Sequence, residues 1–433
     1  MPKYFILGLG LVGDAFLRLC MRNGEFEPAS FYCIDKNPEA IKRFITSGGK
    51  KENATEIKIT KENYAEAFSI LSSGDYLLDF SIDIKNLDLL KFCLERRIHY
   101  LSTADSSWNP DPSWRSAHQH FLEYKKIKAT HSLALPTCII EFGMNPGLVS
   151  VFLKKAIKEI INTGKGFYFL FNRKKLLKYA ESNKYALIAK KLGITAVEIS
   201  DFDDQNIKAG IEENTLYSTW NPHSFFYEIV SSPEIFFGTE KELLAYRDKI
   251  IEYDLKDLYV SLRHTAVDNK HKSYSLCGAF YGHLTTHEEI YSIGDYLSLY
   301  KNGKLIYKPT TRFIYLPSVP ARTSLKYIKE NNFQKPQNIK VLDKKDISEG
   351  GETVGVVIYG KRFKTRFFGN RLTIADTEQS PTILQVGASA FAAFKYMKNH
   401  PNQGFLFPEE LDDKEILNEV TKYIGALSTI TYD

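Results

Sequence analysis

The feature that most constrains this chain is the hexapeptide Gly8-Leu9-Gly10-Leu11-Val12-Gly13, which follows an apolar run and opens an amphipathic stretch. Tyr4–Leu7 is short and apolar, as in a buried strand, and Val12–Met21 repeats apolar side chains at helical spacing. Strand, glycines and helix in this order let the backbone approach a pyrophosphate at the positive end of the helix dipole. The next predicted strand ends at Asp35, 22 residues beyond Gly13, where a carboxylate accepts ribose hydroxyls and repels a 2′-phosphate. The sequence therefore predicts a dinucleotide-binding domain that prefers NAD.

The first third of the chain continues this alternation of strand-like and helix-like segments. The strand-like segments are Phe31–Ile34, Tyr76–Phe80, His99–Ser102 and Thr137–Phe142, and the helix-like segments are Pro38–Thr46 and Ile84–Arg96. Strands separated by helices are typical of a doubly wound parallel sheet. We therefore expect an α/β protein whose residues 1–148 form an N-terminal Rossmann domain.

The character of the sequence changes after Gly147. Runs rich in β-branched and aromatic residues occur at Gly166–Phe171, Leu276–His283, Arg312–Leu316 and Thr353–Tyr359, and helical patterns return at Thr382–Lys398 and Glu409–Ile424. At 433 residues the chain exceeds the usual size of one hydrophobic core. We expect a second, α+β domain with a mixed sheet over 149–377, for substrate binding and oligomerisation, and expect residues 378–433 to complete the first domain.

Composition argues against several classes of function. The net charge is +5 and the basic residues are spread along the chain, which does not favour nucleic-acid binding. No apolar run approaches the roughly 18 residues of a membrane span, and no signal-peptide pattern precedes the first strand. The five cysteines form no CxxC pair, and no metal-ligand spacing is evident. We expect a cytoplasmic protein without metal, membrane or nucleic-acid partner, and a homodimer as the commonest closed assembly.

Motifs beyond the nucleotide turn resemble one group of enzymes. Residues 144–150, Met-Asn-Pro-Gly-Leu-Val-Ser, are similar to the Asn-Pro-Gly-(Met/Leu)-Val-Ser motif of bacterial homospermidine synthases, relatives of the saccharopine dehydrogenase group. Further segments that match this group in register are Asp201–Gln205, Ser218–Trp220 with Glu228 eight residues on, His287–Tyr296, Leu384–Val386 and Gly404–Glu409. The resemblance therefore spans nearly the whole chain.

The resemblance implies an NAD-dependent transferase. Such an enzyme moves an aminobutyl group between putrescine molecules through imine intermediates, releases ammonia and produces no net redox change. NAD then serves as a hydride-recycling prosthetic group. Diamines, putrescine above all and spermidine as a further candidate, are the implied small-molecule partners.

Carboxylates are required to bind a diamine dication. The residues that we place around the substrate are Asp83, Asp105, Asp201 and Glu352. Glu352 rests on the resemblance alone. Asp105 lies one position from where the family shows a glutamate, so it is a substitute for that residue or the outer diamine site differs.

The catalytic residues that we expect are Asn145, Trp220, Glu228 and His287. An attacking amine has an unperturbed pKa of about 10.4 and must be neutral, so we assign Glu228 as the proton acceptor. Asn145 would orient the amine nitrogen, and the Trp220 indole would stabilise an iminium through its face. His287 would relay protons, since an unperturbed imidazole titrates near neutrality.

Structural interpretations compete with these roles. Asn145-Pro146-Gly147 is also typical of a helix N-cap with proline in the first turn. The acidic residues of 201–204 would ordinarily form a solvated turn, and Trp220 alone would ordinarily be a core residue. His287, followed by Glu288 and Glu289, also fits the start of a surface helix.

Two other functions stay open at this point. An NAD(P)-linked dehydrogenase of the saccharopine or carboxynorspermidine type would need arginines for substrate carboxylates, and Arg263, Arg312 and Arg322 lie outside the matched segments. A non-catalytic NAD sensor would have no evident use for the combination of acids and tryptophan.

Overall fold

The computed structural model describes residues 1–108, 116–130, 135–239, 250–254 and 259–433. The chain forms two compact units, Met1–Leu148 with Ile383–Tyr423, and Val149–Thr382 with Ile424–Asp433. The predicted limits differ at the C-terminus, because residues 428–431 pair with a strand of the second unit. The nucleotide-binding and substrate-binding roles of the two units stay predictions.

Helices and strands are numbered in chain order over the described residues. The helices are α1 (Leu11–Arg22), α2 (Pro38–Thr46), α3 (Tyr64–Ala67), α4 (Asn86–Arg96), α5 (Ala117–Thr130), α6 (Leu148–Thr163), α7 (Phe167–Glu181), α8 (Tyr185–Leu192), α9 (Pro222–Val230), α10 (Glu289–Tyr296), α11 (Val319–Glu330), α12 (Pro381–Asn399) and α13 (Asp413–Ile424). The strands are β1 (Tyr4–Leu7), β2 (Phe31–Asp35), β3 (Ala54–Glu56), β4 (Tyr76–Asp79), β5 (His99–Ser102), β6 (Cys138–Ile139), β7 (Ile194–Asp203), β8 (Asn206–Ile207), β9 (Thr215–Ser218), β10 (Glu234–Phe236), β11 (Ile250–Asp254), β12 (Tyr259–Leu262), β13 (Lys270–Ser275), β14 (Gly278–Thr285), β15 (Leu299–Lys301), β16 (Lys304–Tyr307), β17 (Thr310–Leu316), β18 (Asn338–Val341), β19 (Ile347–Glu349), β20 (Gly351–Gly360), β21 (Arg366–Thr373), β22 (Phe405–Leu406) and β23 (Ser428–Thr431).

The first unit contains a parallel sheet. Its strand order is β22-β6-β5-β4-β1-β2-β3, and each neighbouring pair is parallel. β1 and β5 occupy the predicted residues, and Ile6 at the centre lies between Cys33 and Leu78, all three buried. The predicted doubly wound α/β fold is confirmed. Because the strands are parallel, the residues that follow β1, β2, β4 and β5 lie along one edge of the sheet.

The second unit contains a mixed sheet, as predicted. Its main path is β11-β12-β10-β17-β7-β20-β21-β23, with β14 also pairing with β17. β7 is central, since it runs parallel to β17 and antiparallel to β20. These two pairings decide which side chains of the three strands share a face.

Gly166–Phe171 is one of the runs that led us to expect a sheet in the second domain, and that expectation is wrong here, because Gly166 is the N-cap of α7 and Phe167 its first residue. A short apolar run does not distinguish the two periodicities, and here the helical one applies. Phe169 is buried, whereas Phe167 and Phe171, four residues apart, are 80% and 75% exposed. The described residues include no helix that is both long and apolar enough to cross a membrane.

Candidate functional site

The glycine turn after β1 fits the close approach of a phosphate group. Gly8 has a φ of +84°, and a Cβ on it would lie 2.9 Å from the Ser81 nitrogen. A Cβ on Gly13 would lie 2.3 Å from the Gly8 carbonyl oxygen, whereas a Cβ on Gly10 would meet nothing within 4 Å. Gly10 is also the N-cap of α1 and has no side-chain capping bond. The first amides of α1 are therefore available to an anion at the position where the backbone leaves open space.

Asp35 ends β2 beside this turn. One carboxylate oxygen accepts the Leu9 N–H at 2.7 Å, and the other accepts the Asn37 N–H at 2.8 Å. A carboxylate offers about four lone-pair sites, so acceptor capacity remains for ribose hydroxyls. The arrangement suits the predicted role of Asp35 at an adenosine ribose.

Asp79 belongs to the same edge of the sheet and was missed in the sequence. It ends β4, is buried, and accepts hydrogen bonds from Ser81 Oγ at 2.6 Å, Tyr100 Oη at 2.7 Å and Asn86 Nδ2 at 3.0 Å. Burial raises the pKa of Asp79 in spite of these donors. Because the Ser81 amide faces Gly8, Asp79 holds the loop that packs beneath the glycine turn. An acid at the carboxyl end of a buried strand was the available signal.

Asp83, predicted to bind substrate, lies in the exposed loop after β4. Its side chain is 46% exposed, and one carboxylate oxygen lies 4.0 Å from Lys36 Nζ. A carboxylate this exposed gains little from an ion pair. Asp83 therefore does not resemble a desolvated anchor for a diamine.

Asp105, also predicted to bind substrate, lies after β5 and is held by two neighbours. The Tyr124 hydroxyl donates to it at 2.9 Å, and His120 Nδ1 pairs with its other oxygen. Its side chain is only 4% exposed. Two protein partners occupy part of the acceptor capacity that an ammonium group would use.

Asn145 precedes a tight turn and does not cap a helix. α6 begins at Leu148, two residues after Pro146. Within the turn, the Gly143 N–H donates to the Pro146 oxygen at 2.8 Å. Gly147 has a φ of +125°, and a Cβ there would lie 2.7 Å from Gly143. The N-cap interpretation is wrong, and the motif instead forms a turn that requires glycine.

The second unit brings several predicted residues together. We call this group the acid–aromatic cluster; it consists of Asp201, Asp203, Trp220, Glu228, His287, Glu288, Phe313, Tyr315 and Glu352. Five of these residues were singled out in the sequence as site residues. Asp203, Glu288, Phe313 and Tyr315 were not.

Strand register places the centre of the cluster. Tyr315 of β17 lies beside Asp201 of β7, and Glu352 of β20 lies beside Asp203. Asp201 and Asp203 are two residues apart, so their side chains share one face of the sheet. Asp201, Asp203 and Glu352 are 5%, 0% and 3% exposed, respectively. Three buried carboxyls therefore lie on adjacent strands.

Burial raises the pKa of two of these acids, Glu352 and Asp203. Burial is the main cause for Glu352, and the charges of Asp201 and Asp203 act in the same direction. Burial likewise raises the pKa of Asp203, although hydrogen bonds from Gln205 oppose the effect. Such a group of acids is stabilised by bound cations or protons.

Glu228 lies in the last turn of α9. That helix begins with Pro222 after Asn221, whose side chain caps the His223 and Ser224 amides at 2.9 and 3.1 Å. Burial raises the pKa of Glu228 to about 8, Thr285 lowers it, and Glu288 and Asp201 raise it. Glu228 Oε1 is buried and has no hydrogen-bond partner among the described residues.

Trp220 precedes α9 and is held by polar contacts at both ends. Its main-chain N–H donates to Ser218 Oγ at 3.2 Å, and its indole Nε1 donates to the Tyr315 hydroxyl at 3.4 Å. The edge of Phe225 packs against the indole with ring centroids 6.2 Å apart and planes at 74°. Trp220 is neither fully buried nor exposed, so it does not fit a purely core role.

His287 lies just before α10 and packs its ring edge-on against Phe313 at 4.9 Å. Its Nδ1 is 3.7 Å from a Glu288 oxygen and 3.9 Å from a Glu289 oxygen. Burial lowers the pKa of His287 to about 3. The expected titration near neutrality is therefore wrong for this environment, and His287 is neutral at physiological pH.

Two structural alternatives are excluded by burial. Asp201 and Asp203 are buried residues of β7, so 201–204 is not a solvated turn. Asp204 instead points away and pairs with Arg371 at 2.8 and 2.9 Å. Glu289 is 0% exposed, so His287 does not open a surface helix.

The three arginines of the dehydrogenase alternative are committed or exposed. Arg312 pairs with Glu198 at 2.7 Å on the face of the sheet opposite Tyr315. Arg322 donates to the main-chain oxygens of Pro317 and Asp203, both at 2.8 Å. Arg263 is exposed. Of the three, Arg322 acts on the cluster through its charge, which lowers the pKa of Asp203.

Comparison with known proteins shows which proteins this chain is similar to. A family model described as the saccharopine dehydrogenase NADP binding domain matches residues 4–139. A homospermidine synthase from Mesorhizobium japonicum is 24% identical over 442 residues, covering 97% of this chain and 88% of the relative. A homospermidine synthase from Blastochloris viridis is 25% identical over 454 residues, covering 99% and 91%.

Solved structures give the same result. The homospermidine synthase from Legionella pneumophila, crystallised in complex with NAD, has a TM-score of 0.86 and 25% identity, covering 100% of this chain and 92% of that one. A saccharopine dehydrogenase (L-Glu forming) from Saccharomyces cerevisiae has a TM-score of 0.51 at 11% identity, which shows the fold alone. The resemblance predicted from the motifs is confirmed over the whole chain.

Proposed function

For a chain that is related to bacterial homospermidine synthases over its whole length, we propose the same activity: NAD-dependent transfer of an aminobutyl group between putrescine molecules. The chain is then a transferase that releases ammonia and makes no net change in redox state. The observation that carries the proposal is the acid–aromatic cluster, in which buried carboxyls, an indole and a neutral imidazole occur together. Such a cluster suits a polycationic substrate.

NAD fits the nucleotide turn of the first unit. The open space at Gly10 and the amides at the start of α1 would hold the pyrophosphate, and Asp35 would accept the ribose hydroxyls. Asp35 would also repel a 2′-phosphate, so NAD is preferred although the matching family model is named for NADP. When bound, the nicotinamide supplies hydride acceptance and return.

The acids of the cluster would recognise the ammonium groups of a diamine. The charges of Asp201 and Asp203 raise the pKa of Glu352, and a bound dication would offset that repulsion. A substrate carboxylate would add to the repulsion. This electrostatic difference favours a diamine over the amino-acid adducts of saccharopine-type dehydrogenases.

Glu228 and Trp220 would carry out separate tasks. The amine that attacks an imine must give up a proton, and Glu228 is buried, near neutral in pKa and able to accept it. The Trp220 face would stabilise the iminium, a contribution of about 0.5–2 kcal/mol, without forming a covalent bond to it. Asn145 orients the amine nitrogen, and neutral His287 can donate or accept a hydrogen bond without carrying charge.

Asp105 and Asp83 are the remaining acids of the sequence prediction. We propose them as further carboxylates that attract the ammonium groups of the substrate, Asp105 beside Tyr124 and Asp83 in its exposed loop. Spermidine is included as a second aminobutyl donor. The assignments of Asp105 and Asp83 extend the sequence prediction. Substitution of each residue, followed by measurement of diamine turnover, tests them.

A mass balance tests the function. Putrescine and NAD are incubated with the protein, and homospermidine, ammonia and NADH are measured together by mass spectrometry, enzymatic assay and absorbance. One ammonia for each homospermidine with no accumulated NADH is expected. Net NADH without a new polyamine supports a dehydrogenase, and an inert NAD complex supports a sensor; either result contradicts the proposal.

Assembly and location are part of the same proposal. We place the protein in the cytoplasm as a homodimer. The five cysteines are free, and Cys20, Cys33, Cys93 and Cys138 are buried, as in a reducing compartment. Light scattering of the purified protein measures the oligomeric state.

A further inference from the structure

We infer that Tyr315 is a positioning residue for Trp220, holding the indole plane and increasing its attraction for a cation. The inference rests on the proposed function for its catalytic consequence, but the contact itself does not depend on that function. It follows from three features of Tyr315: its hydrogen bond, its ring packing and its electrostatic surroundings.

The hydrogen bond joins the polar edge of the indole to the central sheet. Trp220 Nε1 donates to the Tyr315 hydroxyl at 3.4 Å. Trp220 lies in the loop between β9 and α9, whereas Tyr315 lies within β17. A side chain on a loop is therefore tied to one on a paired strand, which restricts rotation of the indole about its side-chain torsions.

Ring packing fixes the position of the Tyr315 hydroxyl. Phe313 is stacked with the Tyr315 ring at 6.0 Å and 12°, and Phe225 packs edge-on at 6.2 Å and 84°. Phe225 also contacts the indole. With its residue only 4% exposed, Tyr315 has little freedom to reorient, so the acceptor it presents to Trp220 is preorganised.

The surroundings keep Tyr315 a neutral phenol. Burial raises its pKa well above the usual value, and the charges of Asp201, Asp203 and Glu352 act in the same direction. As a neutral phenol, Tyr315 accepts the indole N–H through a lone pair of its oxygen. Donation of the N–H increases electron density on the indole ring, and that density attracts a cation to the face of the ring.

The contact has a distinct consequence for catalysis. A diamine ground state is held mainly by carboxylates, whereas the iminium carries its charge at the carbon–nitrogen bond that the indole would face. Loss of the Tyr315 hydroxyl should therefore affect kcat more than KM. If the hydroxyl had a purely structural role, its loss would lower the stability of the protein without a selective effect on kcat.

Tyr315→Phe is the informative variant because it removes one oxygen and keeps the ring. Tyr307→Phe is the matched control, since the buried Tyr307 hydroxyl donates to the Ile194 carbonyl oxygen at 2.8 Å in the same unit. Both are made in a background in which Trp220 is the sole tryptophan, with Trp108 and Trp114 replaced by Phe. Circular dichroism checks that each variant is folded.

The first measurement is the fluorescence of Trp220, which needs no activity. Tyr315→Phe should shift the emission maximum of Trp220 and make its fluorescence anisotropy decay faster, because the indole is then free to rotate. Tyr307→Phe should leave the emission maximum and the anisotropy decay unchanged. The second measurement is diamine turnover, in which Tyr315→Phe should lower kcat about three- to tenfold with KM nearly unchanged.

Unchanged fluorescence in Tyr315→Phe, equal changes in both variants, or loss of fold in Tyr315→Phe would each overturn the inference. If the parent protein turns over no diamine, the proposed function fails while the fluorescence arm still decides the role of Tyr315. A fluorescence shift with unchanged kcat would contradict the catalytic consequence.

Discussion

Replacing Glu228 by Gln should make the protein more stable at alkaline pH and much less active. Burial and neighbouring acids raise the pKa of this carboxyl from 4.5 to about 8. Each pKa unit corresponds to 1.36 kcal/mol, so the charged form is disfavoured in the folded state by about 5 kcal/mol, an upper limit for the effect on stability. Gln keeps the shape of the side chain and cannot ionise.

The pH dependence follows from proton binding in the two states. Between pH 4.5 and about 8 the folded protein retains the Glu228 proton, whereas the unfolded chain has lost it. The unfolded state therefore binds fewer protons, and the contribution of Glu228 to stability is complete below pH 4.5 and is lost as the pH rises through about 8. Glu228→Gln lacks this loss.

Urea unfolding at pH 5.5, 7 and 9 measures the effect. The stability of Glu228→Gln relative to wild type should rise across this series by up to about 3 kcal/mol, since the loss of about 1.36 kcal/mol per pH unit runs from the first pH of the series to the folded-state pKa of about 8. Glu330→Gln is the control, because the Glu330 side chain is 61% exposed. An identical pH dependence in wild type and Glu228→Gln would refute the assignment of a buried, proton-bearing Glu228.

Activity gives the complementary result for the same variant. Loss of a general base ordinarily lowers turnover by roughly 10²- to 10⁴-fold, so Glu228→Gln should lose at least two orders of magnitude in diamine turnover. In wild type, kcat/KM should rise with pH until Glu228 is ionised. A variant with wild-type turnover would move the base elsewhere.

Four further substitutions distinguish the roles of the cofactor turn from those of the acid–aromatic cluster. Trp220→Ala should leave the calorimetric Kd for NAD unchanged and lower turnover by about one to two orders of magnitude, as ~2 kcal/mol of lost stabilisation allows; an unaltered rate would remove the indole from the mechanism. Asp35→Ser should weaken NAD binding about tenfold, which corresponds to ~1.4 kcal/mol, and should improve binding of NADP. Titration with both nucleotides measures this, and an unchanged preference for NAD would contradict the role of Asp35. Gly10→Ala should keep the melting temperature and weaken NAD binding, because its Cβ enters open space, whereas Gly13→Ala should lower the melting temperature, because its Cβ lies 2.3 Å from a carbonyl oxygen. Equal melting temperatures in the two glycine variants would contradict this distinction.

The sequence alone was sufficient for features that depend on neighbours along the chain. The glycine turn and the acid at the end of β2 were predicted at the correct residues and α1 to within one residue at each end, since a turn of this kind depends on one strand, one turn and one helix that follow one another in the chain. The same holds for β5, whose bounds His99–Ser102 were predicted without error. Locally, the motifs of the homospermidine synthase group also carried the resemblance.

The sequence alone did not determine whether a short apolar run forms a helix or a strand. Five consecutive apolar residues are compatible with a strand or with a helix. Gly166–Phe171 has the composition of a strand, but it forms the start of a helix. The 201–204 segment shows the opposite case: Asp201 and Asp203 are buried residues of the central strand β7, and Asp204, which follows the strand, pairs with Arg371. Charge suggested a turn, but strand pairing prevailed.

What tertiary structure decided was the membership and the chemistry of the acid–aromatic cluster. Tyr315 and Glu352 come beside Asp201 and Asp203 only through the pairing of strands that are more than a hundred residues apart in sequence. Burial then sets their charge, because removal of water penalises an ion by an amount that no local motif specifies. For this reason His287, which the sequence led us to expect to titrate near pH 7, carries no charge at that pH. Glu228, for the same reason, keeps its proton up to a pH of about 8.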